Sequence, residues 1–329
     1  MEISLGIHQL ALPIPNSPLK HINCYLIEGN EGWLMVDTGW STPTALDSLQ
    51  AGLKDLGLAL EDIAGIVLTH AHPDHFGLAG HIKQAVPQAE LVMHRWESDL
   101  IESRYVKFAE LRDKMAPMLL RHGVPHSELR MLASASMPAL KYVIVVYPDR
   151  VLYGGETVST GVHNLEIIWT PGHSPGHICL YEPVHQILIT GDHVLGHISP
   201  NVSYHVQSGD NPLGDYMYSL RKLLHLPVSK VLPAHGEVFS DLRARIDQIL
   251  EHHERRKAEI GQTIASRPLN AYEVACRIIW NVSEIDWAKF SPLLKRAAIT
   301  ETIAHLECMR WEGRVERVVE RDLVSYVLK

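Results

Sequence analysis

The stretch His70-Ala71-His72-Pro73-Asp74-His75 constrains this chain more than any other, because it puts four metal-binding side chains within six residues. Ile66-Val67-Leu68-Thr69 before it reads as a buried strand, and Phe76 to about Val86 after it as a helix with Gly and Ala at close-packing points. The cluster therefore sits where a strand gives way to a helix, and the change of direction lets sequence neighbours face a common centre. His70 and His72, two apart on extended backbone, project the same way. Asp74 and His75 follow the bend and can serve a second centre. Imidazole with carboxylate suits zinc, with iron or manganese as alternatives. The chain has 21 histidines in 329 residues, so pairs also arise by coincidence, and His252-His253 on a charged helix reads as one of these.

The pattern of a short aliphatic run, a Gly or Pro close by, and a side chain with metal chemistry recurs. Trp33-Leu34-Met35-Val36 leads to Asp37-Thr38-Gly39, and the run at 165–169 leads to Thr170-Pro171-Gly172-His173. Ile187-Leu188-Ile189-Thr190 leads to Gly191-Asp192, and the run at 228–232 to Pro233-Ala234-His235-Gly236. Strands that end on one edge bring such residues to one rim of a sheet, and the count fits a two-metal centre.

With these motifs in hand, residues 1 to about 262 resemble the metallo-β-lactamase superfamily of hydrolases. The resemblance rests on the strand-Asp-Thr-Gly at Asp37, the HxHxDH run at 70–75, the Pro-Gly-His loop at His173, Gly-Asp at Asp192 and the Pro-Ala-His-Gly loop at His235. It implies an αββα sandwich in the α/β class, with metals at one edge. It also implies that His70, His72 and His173 hold a first metal, that Asp74, His75 and His235 hold a second, and that Asp192 bridges them. Asp37 would orient the metal loop without being a ligand. His177, with His193 and His197, follows the motif residues closely and would lie behind the ligands. The run from Gly191 to Asn201, the later Glu251-His252-His253-Glu254-Arg255-Arg256 helix and the tail after it resemble a narrower subgroup, the lactamase-beta-2-like proteins near glyoxalase II. Its members hydrolyse thioesters or cleave RNA, so this likeness leaves the substrate open.

Two divalent ions about 3.5–4 Å apart would lower the pKa of a water held between them and make it the nucleophile. Asp74 would orient that hydroxide and accept its proton. With such a nucleophile no Ser or Cys nucleophile is needed. The leading expectation is hydrolysis of a small-molecule ester, thioester or lactone. A ribonuclease of the same fold would need a basic track, yet Arg310, Arg314, Arg317 and Arg321 interleave with Glu307, Glu312, Glu316 and Glu320, as on a solvated or intramolecular face. A mononuclear iron sulfur dioxygenase would use a subset of the same ligands. Flavodiiron chemistry calls for Glu where His72 stands.

Composition narrows the rest. The chain is 46% hydrophobic and 21% charged, with a net charge of −8, an ordinary globular profile without the bulk basicity of a nucleic-acid or anionic-membrane binder. Cys24, Cys179, Cys276 and Cys308 are far apart, without a CxxC, and read as reduced thiols of a cytoplasmic protein. Neither a signal peptide nor a membrane span is expected, and β-lactam hydrolysis is disfavoured for lack of an export signal. The expected division is a catalytic unit over 1–262 and a winged-helix-like unit over 263–329, the latter a route to a homodimer. The Leu-, Met-, Arg- and Glu-rich stretch at about 95–140 reads as helices inserted over one face of the sheet, with Arg104, Tyr105, Lys107, Arg112 and Lys141 as candidates for holding a charged substrate tail. Strands are expected at 142–147 and 151–153, and a closing strand pair at 314–319 and 323–328.

Overall fold

A computed structural model of the chain describes residues 1–15, 17–280 and 287–329. Strands β1 (Glu2–Ser4), β2 (Ile7–Pro13), β3 (His21–Ile27), β4 (Trp33–Val36), β5 (Ile63–Leu68), β6 (Glu90–His94) and β7 (Arg150–Leu152) form one sheet in chain order. It is antiparallel through β4 and parallel from β4 to β7. Strands β8 (Thr157–Ser159), β9 (Asn164–Trp169), β10 (Ile178–Glu182), β11 (Ile187–Gly191) and β12 (Lys230–Pro233) form a second sheet in the order β12-β11-β10-β9-β8.

The two-residue period of the strands separates the layers. Tyr25, Ile27, Val36, Val67 and Val92 face Leu165, Ile167, Leu180, Ile189 and Leu232 across the gap between the sheets. Their neighbours Cys24, Leu26, Met35, Ile66 and Leu91 point the other way and pack on α1 (Pro43–Asp55) and the short α2 (Pro73–Phe76) and α3 (Ala79–Ala85). Cys179, Tyr181, Leu188 and Val231 do the same on the second sheet, against α7 (Pro212–Leu223) and α8 (Leu242–Thr263). The result is the expected αββα sandwich. Each fully buried Val, Leu or Ile contributes about 1.5–3 kcal/mol, so all three apolar layers hold the sandwich together.

Several local expectations need correction. The helix expected from Phe76 begins earlier, at Pro73, and breaks after Phe76 before resuming as α3. Residues 142–147 are not a strand: Ile144 donates to the Gly77 carbonyl at 3.2 Å and Ser41 to the Tyr142 carbonyl at 2.8 Å. This β-branched run lies as a strap across the glycines of the broken helix, where a Cβ on Gly80 would stand 2.2 Å from the Ile144 carbonyl oxygen. Residues 3–12, whose alternation of apolar and polar residues reads as one strand, are split at Leu5-Gly6 into β1 and β2.

The insert contains α4 (Arg95–Ile101), a wide turn at Glu102–Val106, α5 (Phe108–Arg121), α6 (His126–Ala133) and a tight turn at Met137–Tyr142. Only its start touches the sheet. Phe108, Leu111, Met115, Leu119 and Leu132 instead share a core with Val274, Ile299, Ile303, Val324 and Tyr326. Those partners come from α9 (Ala271–Ala275), α10 (Pro292–Trp311) and the hairpin of β13 (Val315–Glu320) with β14 (Leu323–Leu328). The expected layer over the sheet is thus a joint body built from the insert and the C-terminal segment that starts at α9. Arg310 there pairs with Glu307 at 2.6 Å, and Arg314 with Glu254 of α8 and Glu312 at 3.3 and 3.2 Å. His253 is buried, 3.1 Å from His305. All four cysteines are unpaired, and no helix among the described residues is long and apolar enough to cross a membrane.

Candidate metal centre

The loops after β4, β5, β9, β11 and β12 meet at one rim. There His70, His72, His173 and Asp192 form one group of potential ligands, and Asp74, His75 and His235 form a second. In the first, His72 Nδ1 lies 2.9 Å from His70 Nε2 and 3.1 Å from His173 Nε2, which is 3.5 Å from Asp192 Oδ2. In the second, His235 Nε2 is 3.3 Å from Asp74 Oδ2, and His75 Nε2 is 4.0 Å from the same oxygen. Asp192 Oδ1 reaches this group too, 3.5 Å from His75 Nε2 and 3.4 Å from His235 Nε2. One carboxylate therefore turns one oxygen to each set.

These separations suit a cation. Tetrahedral zinc with Zn–N of about 2.0–2.1 Å sets its ligand atoms about 3.3–3.4 Å apart. His75 Nε2, His235 Nε2 and Asp192 Oδ1 are buried with no hydrogen-bond partner among the described residues, an arrangement that costs free energy unless a further group satisfies them. The opposite nitrogen of each ring is tied down. His75 Nδ1 donates to Asp37 at 2.8 Å, His173 Nδ1 to the Asn201 carbonyl at 2.8 Å and His235 Nδ1 to the His21 carbonyl at 2.9 Å. Such outer acceptors fix the tautomer and leave the inner lone pair free for a metal.

Electrostatics divides the two sets. Burial, then the neighbouring imidazoles, holds His70 well below the usual histidine range, and burial does the same for His72. Both rings are neutral near pH 7. For His75 burial pulls down, but Asp37, Asp192 and Asp74 outweigh it and hold the ring well above its ordinary value. Burial raises Asp192 and Asp74, yet the surrounding histidines keep both carboxylates below the usual range.

Asp37 and His177 stand behind these groups. Asp37 adopts φ 58°, accepts from the Thr69 backbone at 2.8 Å and holds His75. His177 Nε2 accepts from the Asp192 backbone at 3.2 Å, and its Nδ1 is 2.9 Å from Thr170 Oγ1. Gly191, φ 48°, gives that ring room: a Cβ there would stand 2.7 Å from His177 Nε2. His193 is buried against Tyr216, and His197 is exposed.

Sequence reasoning missed Glu97. Wholly buried in α4, it accepts from the backbones of Ala71 and Gly176, each at 2.8 Å, and from the Ser174 hydroxyl. It thereby joins the 70–75 loop to the loop of His173. No local pattern sets this glutamate apart from the others of a charged helix. Tyr105 adds a hydroxyl bond to the Ala71 carbonyl.

Beside the first group lies a cavity of about 270 Å³, walled by His72 and His173, by residues of the insert and by α10. Of the candidates for a charged substrate tail, Arg104 and Tyr105 line it. Lys107 pairs with Glu102, Arg112 with Asp113, and Lys141 sits over the Tyr142 ring, all away from the cavity. A third cluster, His163, Glu182 and His185, falls at the opposite strand ends, in the turns before β9 and β11.

A family model described as the metallo-beta-lactamase superfamily matches residues 18–235. Over 310 residues the chain is 26% identical to a probable metallo-hydrolase of Bacillus subtilis, YqjP, covering 92% of each. It is 30% identical over 228 residues to an acyl-coenzyme A thioesterase of Gallus gallus, MBLAC2, covering 66% of this chain and 73% of that one. The crystal structure of a metallo-beta-lactamase family protein from Thermus thermophilus superposes with a TM-score of 0.84 at 29% identity, over 100% of both chains.

Proposed function

The chain belongs to the metallo-beta-lactamase superfamily, and from that premise we propose that it is a two-metal hydrolase of a small-molecule thioester. The observation that carries the reading is Asp192, whose two oxygens face separate sets of inward-turned ligands. His70, His72 and His173 would hold one ion, Asp74, His75 and His235 the other, and Asp192 would bridge them, with zinc best suited to the donor set. The full second set favours two ions over the single iron of a sulfur dioxygenase. Internal pairing of the C-terminal arginines favours a small substrate over RNA. Thioesters are preferred because a relative of 30% identity is an acyl-coenzyme A thioesterase. We read residues 263–329 as a winged-helix-like unit that helps to wall the substrate cavity.

Bound ions would supply Lewis acidity and a water of lowered pKa. The chain's own residues do the positioning. His72 and His173 border the cavity, so an acyl group lodged there presents its carbonyl carbon at the rim. Asp74, ionised and with its side chain 17% exposed, accepts the proton of the attacking water. As the new C–O bond forms and the C–S bond breaks, that proton is available to the departing thiolate. The sandwich and the Asp37, Glu97 and His177 contacts hold the loops still, so that little reorganisation is needed during reaction.

The test measures metal content and turnover on one purified sample, against thioesters, lactones, phosphodiesters and RNA. Two ions per chain and a preference for thioesters are expected, with His72→Ala losing both metal and rate. His72→Ala protein with full metal and full turnover would falsify the assignment. Salt-sensitive RNA binding with RNA cleavage would make the protein a nuclease instead.

A further inference from the structure

The cavity beside the first ligand group is apolar over most of its wall, through Phe108, Leu111, Met115, Leu140 and Leu293, yet two arginines, Arg104 and Arg296, also line it. No Asp or Glu does. Arg296, from α10, reaches Ser136 Oγ at 3.3 Å and Met115 Sδ at 3.7 Å, and among the described residues no carboxylate lies within ion-pairing distance of it. Arg104 gives Nε to Gln207 at 3.3 Å, while its Nη1 is buried without a hydrogen bond. The acid near that nitrogen, Glu97 at 3.7 Å, already accepts from three donors. A guanidinium carries five donors, so most of this capacity is unspent.

Both guanidinium groups act on one wall residue. His205 is driven down to about 3 by burial first, then by Arg104 and Arg296. That imidazole is neutral near pH 7 and leaves the charge on the two guanidinium groups. Arg296, lowered by burial to about 10, remains protonated there. An unpaired buried cation is costly, and packed apolar side chains in its place are often no less stable. Among the described residues Arg296 has no resident anion, and its side of the wall is therefore suited to an anion that arrives.

We propose that the Arg296 wall of this cavity, with Arg104, binds an anionic group on the substrate, joined by a short apolar stem to the carbonyl hydrolysed at the metal rim. This deepens the hydrolase reading and rests on it. A guanidinium pairs well with the planar oxygens of a carboxylate and also with phosphate. At about 270 Å³ the cavity falls just below the usual range of about 300–1,000 Å³ for whole drug-sized ligands, so it takes one end of a substrate. That end is either an acyl chain ending in carboxylate or the phosphate of a thiol leaving group.

Three thioesters separate these sources: glutaryl and pentanoyl thioesters of the same neutral thiol, and a pentanoyl thioester of a phosphorylated thiol. Wild-type protein should favour one charged member over the neutral pentanoyl compound. Whichever member wins identifies the end that enters the cavity. In Arg296→Met the charged-to-neutral ratio of kcat/KM should fall by about 10- to 100-fold, mainly through KM, with Arg296→Lys recovering part. Calorimetry with glutarate, pentanoate and inorganic phosphate on the wild-type protein reads the same site without turnover. If no thioester is cleaved, the hydrolase reading fails, while glutarate or phosphate binding that Arg296→Met abolishes would still establish the anion site. Equal losses for charged and neutral thioesters in Arg296→Met, or calorimetry that does not distinguish glutarate and phosphate from pentanoate, would overturn the proposal.

Discussion

Replacing Glu97 should cost this protein more than replacing any exposed acid. Its buried carboxylate accepts two backbone N–H groups, from Ala71 and Gly176, each at 2.8 Å, and the Ser174 hydroxyl. Bonds to a charged acceptor are worth about 1.5–3 kcal/mol each, and they do not simply add. In Glu97→Ala the hydroxyl can rotate to another partner, but the two N–H groups cannot. Each, left buried without an acceptor, costs about 1–3 kcal/mol. Arg104 also loses the acid that lies 3.7 Å from it. The expected loss is about 3–5 kcal/mol, against about 5–15 kcal/mol for the whole stability of a typical domain. Glu97→Gln keeps one acceptor oxygen but turns an amide donor toward another donor, so its loss should be about 2 kcal/mol. Urea unfolding of the three proteins, followed by circular dichroism after chelation and again with added zinc, gives these differences at unchanged slope. Because Glu97 joins two ligand-bearing loops, zinc retention against a competing chelator should fall in the same order. If Glu97→Ala unfolds within about 1 kcal/mol of wild type and holds zinc as tightly, the bracing role assigned to this carboxylate is wrong.

Two further expectations follow from the same contacts. Asp37→Asn keeps a residue type that tolerates φ 58° but weakens the hold on His75, so metal affinity should drop by about 10- to 100-fold at nearly unchanged fold. Metal analysis after dialysis against graded chelator reads this, and an unshifted midpoint contradicts it. Glu301 is raised by burial to about 7, against the opposing pull of Arg256 and Asn201. A raised folded value means that its protonated form stabilises the fold below pH of about 4.5, and that this contribution is lost as pH rises through 7. Glu301→Gln should therefore gain on wild type between pH 5 and pH 8, by at most about 3 kcal/mol. Equal differences in melting behaviour at the two pH values would argue against it.

The sandwich was legible in the sequence because each sheet buries both faces differently. Met35 and Val36, or Ile66 and Val67, pack in opposite layers, and strands buried on both faces read as short unbroken aliphatic runs. The candidate ligands were legible because metal chemistry narrows the residue types, strand ends narrow the places, and the motifs resemble those of a known family. What escaped depends on contacts between distant segments. The run at 143–146 has strand propensity, but the glycine face of α2 and α3 takes it as a strap, and nothing local announces that competition. Whether Arg104 or Lys107 faces the cavity is set by how α5 docks on α10. Glu97 looks like any helical surface acid until the two loops it joins are brought together.

The joint body of insert and C-terminal segment has a bearing on how specificity can change in this fold. The metal rim is carried wholly by sandwich loops, whereas the far wall of the cavity comes from two segments more than a hundred residues apart that share one apolar core. Grafting either segment alone from a relative would strip the other of its packing partner and expose Phe108 and Leu111 or Ile299 and Ile303 to water. Grafted as a pair, they could carry a new substrate preference onto an unaltered catalytic chassis. New selectivity in such a protein is thus expected to move in matched blocks rather than one residue at a time.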